Sequence, residues 1–339
     1  MNAAAPTPGL PQRGREEALL SVRDLHVQFA VRGAGFPAPK FALKAVNGVG
    51  FDLRPGETLG IVGESGCGKS TLARALLNLV PSQAGSIVYR GNEMRGAAPA
   101  AWQKVRREVQ MVFQDPLASL DPRMNIAQIV GEPLITHEPG MPRAEVLVRV
   151  KAMLKRVGLS EEHLYRYPHE FSGGQCQRIG IARALVLEPK LVICDEPVSA
   201  LDVSIQAQII NLLKDLQREL RLSLLFIAHD LAVVRHVSDR VLVMYLGRVM
   251  ELADKREIYE HPRHPYTQAL QSAVPIADPR VERNKEIRLL QGEIPSPIHP
   301  PSGCVFRSRC PHAFAKCAEE VPPLKNVDGR ADVACWLYE

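Results

Sequence analysis

The chain has no apolar run of the roughly 18–20 residues that a membrane-spanning helix needs. The longest apolar run near its end, Leu222–Ala228, is the size of a strand. It has no block of like charge: a formal net charge of +5, spread over mixed acidic and basic residues, is too mild to point to nucleic acid. No internal repeat is present, and no sustained heptad region, so solenoids and long coiled coils are excluded. Residues 1–15 are rich in Ala, Pro and Gly and lack the apolar segment of a signal peptide, so residues 1–17 are expected to form a disordered tail. Together these absences lead us to expect a cytosolic chain that meets a membrane only through a partner. Cysteine is sparse until late. Cys67, Cys176 and Cys194 are scattered, and Cys304, Cys310, Cys317 and Cys335 crowd into the last stretch. In a reducing compartment a disulfide framework is not the expected use of such a group.

What is present is ordinary globular composition: 339 residues, 46% hydrophobic and 23% charged. Alternation predicts a strand over Leu19–Phe29, a Gly/Pro-rich stretch follows at 33–39, and strand-like segments recur at Ala45–Leu53 and Thr58–Val62. Leu72, Ala75, Leu76 and Leu79 recur at helical spacing within Thr71–Val80. Leu191–Cys194 and Leu222–Ala228 read as buried parallel strands. Between them Ile205, Ile209, Leu212, Leu213, Leu216 and Leu220 mark one helix face. Strands alternating with helices predict an α/β sheet with crossovers. The mainly helical stretch from about 118 to 178 is expected to be a subdomain inserted into it, and from 262 onward Pro becomes dense and periodicity fades.

Gly63-Glu64-Ser65-Gly66-Cys67-Gly68-Lys69-Ser70, followed by Thr71, fits the phosphate-binding loop pattern, with a buried strand before it and a helix after. Such glycines let backbone N–H groups converge on phosphate oxygens, and the helix N-terminus adds a favourable dipole. Lys69 is expected to reach the β- and γ-phosphates and Ser70 to ligate Mg²⁺. The apolar strand ending in Asp195-Glu196 puts two carboxylates at its carboxyl end, where α/β ligands bind. Asp195 is read as a Mg²⁺ ligand through water, and Glu196 as the group that polarises attacking water. His229, one strand later, can reach the γ-phosphate, and Gln114, after Val109–Phe113, can touch Mg²⁺ and the water. Cys67 fills a free position of the pattern and carries no redox role.

Phe171-Ser172-Gly173-Gly174-Gln175 closely resembles the signature of ABC ATPases. The order also matches: phosphate loop, Gln114, signature, Asp195-Glu196, Ser199-Ala200-Leu201-Asp202, His229. The resemblance covers about residues 19–250 and implies an α/β P-loop NTPase sheet with an inserted helical subdomain. It also implies that Ser172, Gly173, Gly174 and Gln175 contact the ATP of a second subunit, that Asp202 lies at that interface, and that Gln114 faces a membrane subunit. An upstream aromatic, Phe29 or Phe41, is expected to stack on adenine, with Phe29 taken as the candidate. The set is complete enough to imply a competent ATPase.

His264-Pro265-Tyr266-Thr267-Gln268-Ala269-Leu270 and Gly292-Glu293-Ile294-Pro295-Ser296-Pro297 look like the tail of oligopeptide/dipeptide permease ATPases. The expected organisation is thus a nucleotide-binding domain over 18–261 and a Pro/Cys-rich extension over 262–339. The spacing of Cys304, Cys310, Cys317 and Cys335 does not choose among an iron–sulfur cluster, zinc, and free thiols or disulfides. The permease resemblance implies a structural 4Fe–4S cluster, and the interleaved Arg307, Arg309 and Pro311 suit one. His261, His264 and His312 read as surface or turn residues. The implied function is an ATP-hydrolysing importer subunit for di- or oligopeptides on the cytoplasmic face of the inner membrane. Its implied partners are a paralogous ATPase, two membrane permease subunits and an extracytoplasmic peptide-binding protein. Nickel or another small solute as cargo is the alternative within this class. Outside it stand a non-transport ATPase of DNA repair or translation, which the single phosphate loop and missing coiled coil disfavour, and a redox module, which leaves the ATP motifs unexplained.

Overall fold

The computed structural model describes residues 18–32, 40–275, 280, 283, 290 and 292–339. The tail expected at 1–17 and the Gly/Pro-rich stretch at 33–39 lie outside the described residues. In chain order the first elements are β1 (Leu20–Arg32), β2 (Lys40–Leu53), β3 (Thr58–Val62), α1 (Lys69–Leu76), β4 (Ala84–Tyr89), β5 (Asn92–Glu93), α2 (Pro99–Glu108) and β6 (Val109–Val112). A helical stretch follows: α3 (Ile126–His137), α4 (Arg143–Arg156), two 3₁₀ turns, and α5 (Gly173–Leu185). Then come β7 (Leu191–Asp195), α6 (Val203–Leu220), β8 (Ser223–Ala228), α7 (Leu231–Val237), β9 (Arg240–Tyr245), β10 (Arg248–Asp254) and α8 (Lys255–Glu260). The extension adds α9 (Pro265–Ala273), α10 (Ala315–Glu319), β11 (Lys325–Val327) and β12 (Ala331–Val333).

The strands form two sheets. One is antiparallel, in the order β2-β1-β4-β5; the other has eight strands, in the order β11-β12-β10-β9-β3-β8-β7-β6. Strands β9, β3, β8, β7 and β6 run parallel, as their buried apolar runs predict. Successive side chains of a strand point to opposite faces, and here each face feeds its own core. Val192, Cys194, Leu224, Phe226, Val241 and Val243 join the core under the helical stretch. Leu191, Ile193, Leu225, Ile227, Leu242 and Met244 join the core shared with the antiparallel sheet and α1. All these residues are almost fully buried.

Several boundaries differ from expectation; β2, for one, begins at Lys40 and not at Ala45. Strand β1 continues past Phe29 to Arg32, because its register with β2 persists through Ala30↔Ala42 and Arg32↔Lys40. Helix α1 stops at Leu76, because Asn78 turns left-handed (φ 53°) and sends Leu79 into solvent. The extension is not a separate layer. Its strand β12 pairs with β10 (Glu251↔Val333, Ala253↔Ala331) and so lengthens the main sheet.

Candidate functional site

The parallel register brings the expected residues together. Val62 aligns with Ala228, Ile227 with Asp195, and Cys194 with Val112. Residues just past β3, β8, β7 and β6 therefore share one sheet edge: Gly63, His229, Glu196 and Gln114. This is the carboxyl edge at which α/β folds bind ligands.

The phosphate loop turns on two left-handed glycines, Gly66 (φ 78°) and Gly68 (φ 104°). Gly68 caps α1 and brings no side chain to accept from the first N–H groups of the helix, a start that suits an anion. A Cβ on Gly68 would lie 2.0 Å from the Ala45 carbonyl oxygen, and one on Gly63 2.0 Å from that of Met244. Lys69 is buried and donates to the carbonyls of Gly63 (2.8 Å) and Glu64 (3.1 Å), while its Nζ stands 3.7 Å from Glu196 Oε1. Ser65 and Gly66 are exposed at the loop's tip, and Thr71 follows in α1. Burial pushes the Cys67 thiol up against the opposing pull of Lys69, which fits a packing role.

Ser70 Oγ donates to Asp195 Oδ1 at 2.8 Å. Burial raises the pKa of Asp195 despite that hydrogen bond and the nearby Arg74. Two hard oxygens side by side, one of them on a carboxylate, suit Mg²⁺. Glu196 gathers three partners: Gln114 Nε2 donates to Oε2 at 3.1 Å, His229 Nδ1 stands 3.5 Å from Oε2, and Lys69 lies at Oε1. Its backbone is left-handed (φ 46°), a cost a functional site can carry. The adjacent cleft, about 650 Å³, runs from Asp195 and Gln114 past Phe113 and Arg183 to Glu132 and His137 of α3.

Ser172 caps α5 in a reciprocal box with Gln175: each main-chain N–H is met by the other's side chain, at 3.4 and 3.0 Å. Gly173 and Gly174 open the helix, and a Cβ on Gly174 would come within 2.6 Å of Ile205 Cγ2 on α6. Among the described residues no hydrogen bond or ion pair joins Ser172–Gln175 to the phosphate loop. Asp202 is exposed at the start of α6. Phe29 is solvent-exposed, whereas Phe41 packs edge-on against His299, 5.1 Å between centroids.

The extension contains two surprises. His264 is buried, not a surface residue: its Nδ1 accepts from the Tyr266 N–H at 3.0 Å and caps α9, and burial lowers its pKa to about 3. The apolar ring of Phe306 against it explains why. His261 and His312 are exposed. Second, Arg309 does not serve the cysteines; it pairs with Glu64 of the phosphate loop at 2.7 Å. The Tyr266 hydroxyl accepts from the Glu64 N–H at 2.9 Å. No local signal marks these contacts, since the partners lie 245 and 202 residues apart in sequence.

The four late cysteines converge without forming the expected ligand set. Cys335 feels the charges of Cys304, Cys310 and Cys317, and burial foremost pushes the Cys304, Cys310 and Cys335 thiols up, that of Cys335 to about 11. Among the described residues no group of three or more His, Cys, Asp or Glu is placed to hold a metal ion.

Comparison with known proteins agrees with the geometry. Residues 46–199 match the family model described as ABC transporter, and residues 250–317 match oligopeptide/dipeptide transporter, C-terminal region. The chain is 61% identical over 321 residues to the oligopeptide transport ATP-binding protein OppF of Escherichia coli, covering 94% of this chain and 96% of that protein. It is 52% identical to the oligopeptide transport ATP-binding protein AppF of Bacillus subtilis, covering 95% and 98%. Among solved structures it is similar to the ATP-binding cassette MJ0796 in a dimeric post-hydrolysis state bound to ADP and Pi. That match has TM-score 0.62 and 28% identity, covering 70% of this chain and 99% of that one. By motif order, strand-edge geometry and likeness over nearly its whole length, the chain belongs to the ABC transporter family of ATP-binding proteins, in the group that carries the oligopeptide/dipeptide transporter C-terminal region.

Proposed function

We propose that the chain is the ATP-hydrolysing subunit of an importer for di- and oligopeptides, acting through separate membrane permease subunits. The convergence of Lys69, Gln114 and His229 on Glu196, beside the Ser70–Asp195 pair, carries this reading. ATP would lie with its phosphates over Gly63–Thr71, with Lys69 on the β- and γ-phosphates and Phe29 against the base. Mg²⁺, held by Ser70, Gln114 and Asp195, would neutralise phosphate charge. Glu196 would orient the attacking water and accept its proton, and His229 would hydrogen-bond the γ-phosphate. The capped N-terminus of α5 makes a second anion cradle with no bond to the chain's own loop, so Ser172–Gln175 would close over the nucleotide of a second subunit, with Asp202 at the seam. The dimeric state of MJ0796 supports that arrangement.

In this reading residues 18–261 work as the nucleotide-binding domain, with 118–178 as its helical subdomain and 262–339 as the extension. The second ATPase is a paralogue, and an extracytoplasmic binding protein delivers peptide. No described helix is long and apolar enough to cross a membrane, which suits a subunit seated on the cytoplasmic face of the inner membrane. The names of the OppF and AppF relatives favour peptides over nickel as cargo. Substituting Glu196→Gln in the assembled importer should preserve ATP binding and lower turnover by at least ~100-fold. Near-normal hydrolysis would refute the assigned role.

For the four cysteines the finer reading remains a structural 4Fe–4S cluster, with zinc as the alternative. The main-chain N–H groups of Phe306 and Arg307 near Cys304, of His312 near Cys310 and of Leu337 near Cys335 pull those thiols down against the upward push of burial. Such donors favour thiolates, as cluster ligands require. Anaerobically purified protein should be brown and contain iron with acid-labile sulfide. Zinc without iron would overturn the cluster.

A further inference from the structure

Glu64 is held twice by the extension. Arg309 Nη1 lies 2.7 Å from its Oε2, with the arginine side chain 8% exposed and the glutamate 22%. The Tyr266 hydroxyl, fully buried, accepts from its main-chain N–H at 2.9 Å. The two anchors are themselves fixed. The Phe306 ring stands 5.3 Å from both Tyr245 and Tyr266, and the Arg309 N–H bonds the Phe306 carbonyl at 3.0 Å. The Arg309 guanidinium lies 5.9 Å from the Tyr245 ring centroid.

A phosphate loop works because its N–H groups already point at the anion before it arrives. A carboxylate inside that loop works against the same purpose, because a nearby negative charge repels a triphosphate. The Arg309 pair neutralises it at a largely buried site, where solvent screening is weak. The Tyr266 bond takes up the Glu64 N–H and so fixes the turn from which the remaining N–H groups fan out.

We propose that Arg309 and Tyr266 are positioning residues for ATP: the C-terminal extension fastens Glu64, cancels its charge, and thereby sets the nucleotide affinity of the phosphate loop. This rests on the assignment of Gly63–Thr71 to phosphate. It makes the folded extension a determinant of the ATP site and not merely a tail.

The test is MgATP affinity of the full-length protein, with KM and kcat in the assembled importer, for Arg309→Met, Arg309→Lys and Tyr266→Phe, and for Arg309→Met in a Glu64→Gln background. Arg309→Met should weaken ATP binding by about tenfold, the scale of a charge-assisted hydrogen bond. It should act chiefly on KM, and Arg309→Lys should recover most of the loss. In the Glu64→Gln background the same substitution should cost much less, because no carboxylate is left to unmask; a merely misfolded extension would show no such relief. Tyr266→Phe should weaken binding in the same direction. A penalty undiminished by Glu64→Gln, or ATP binding by Arg309→Met within about twofold of the parent, overturns the proposal. Lys69→Ala separates the two assignments. If it loses ATP while Arg309→Met does not, only the positioning role fails; if both bind normally, the phosphate-site assignment fails with it.

Discussion

At the residue level, glycines of the phosphate loop differ in what they protect. Gly66 and Gly68 both have positive φ, but only Gly68 is also pressed against backbone, with Ala45 O 2.0 Å from a would-be Cβ; Gly66 faces open space. Gly68→Ala should therefore cost more than the ~1–3 kcal/mol of left-handed strain alone, because a carbonyl cannot rotate away. Gly66→Ala should stay within that range. Thermal unfolding and ATP binding of the two variants check this, and equal losses would contradict it. The pattern of the loop tells that glycines are needed, but the close approach of Ala45 belongs to β2 and is invisible in the motif.

At the level of elements, α5 and α6 meet through a missing side chain. Gly174 leaves 2.6 Å between a would-be Cβ and Ile205 Cγ2. Gly174→Ala should destabilise the protein by about 1–3 kcal/mol through overpacking. Ile205→Ala removes the opposing methyl, so a double-mutant cycle should show favourable coupling; additive losses would disprove direct contact. Element legibility followed the strength of the local signal. Strand β3 matches Thr58–Val62 because five consecutive buried positions are bounded by turns. Helix α6 was readable from its apolar stripe, of which Ile209, Leu213 and Leu216 are deeply buried and Ile205, Leu212 and Leu220 half-buried. Helix α2 carries only a weak local signal, because it buries chiefly Trp102 and Pro99 at its first turn is its start signal.

At the level of the whole molecule, the extension is welded to the sheet by a buried polar knot. Glu251 on β10, fully buried, accepts from the main-chain N–H groups of Arg263 (3.0 Å) and His264 (2.9 Å). His264, neutral at pKa about 3 against its ordinary 6.5, binds its proton more tightly when unfolded. Its contribution is complete above pH 6.5 and is lost as pH falls toward 3, with a slope of up to about 1.4 kcal/mol per pH unit. Burial raises the Glu251 pKa, so that group contributes stability at low pH that is lost as pH rises through its folded value, the opposite sign. His264→Asn retains an acceptor for the Tyr266 N–H and removes the titration. Denaturant unfolding between pH 4.5 and 6.5 should show a shallower acid loss for the variant than for the parent. Parallel curves would rule out a buried neutral imidazole.

The ATP motifs, their order, the parallel sheet and the helical stretch are legible in the amino-acid sequence, because each is written in neighbouring residues: glycine spacing, apolar runs, a strand ending in acids. That Gln114, His229 and Lys69 meet on Glu196 follows from strand order and comes from the fold. From the fold, too, comes the way the extension joins the sheet, buries His264 and grips Glu64. Those contacts link segments far apart in the chain, and no periodicity within either segment carries information about the other.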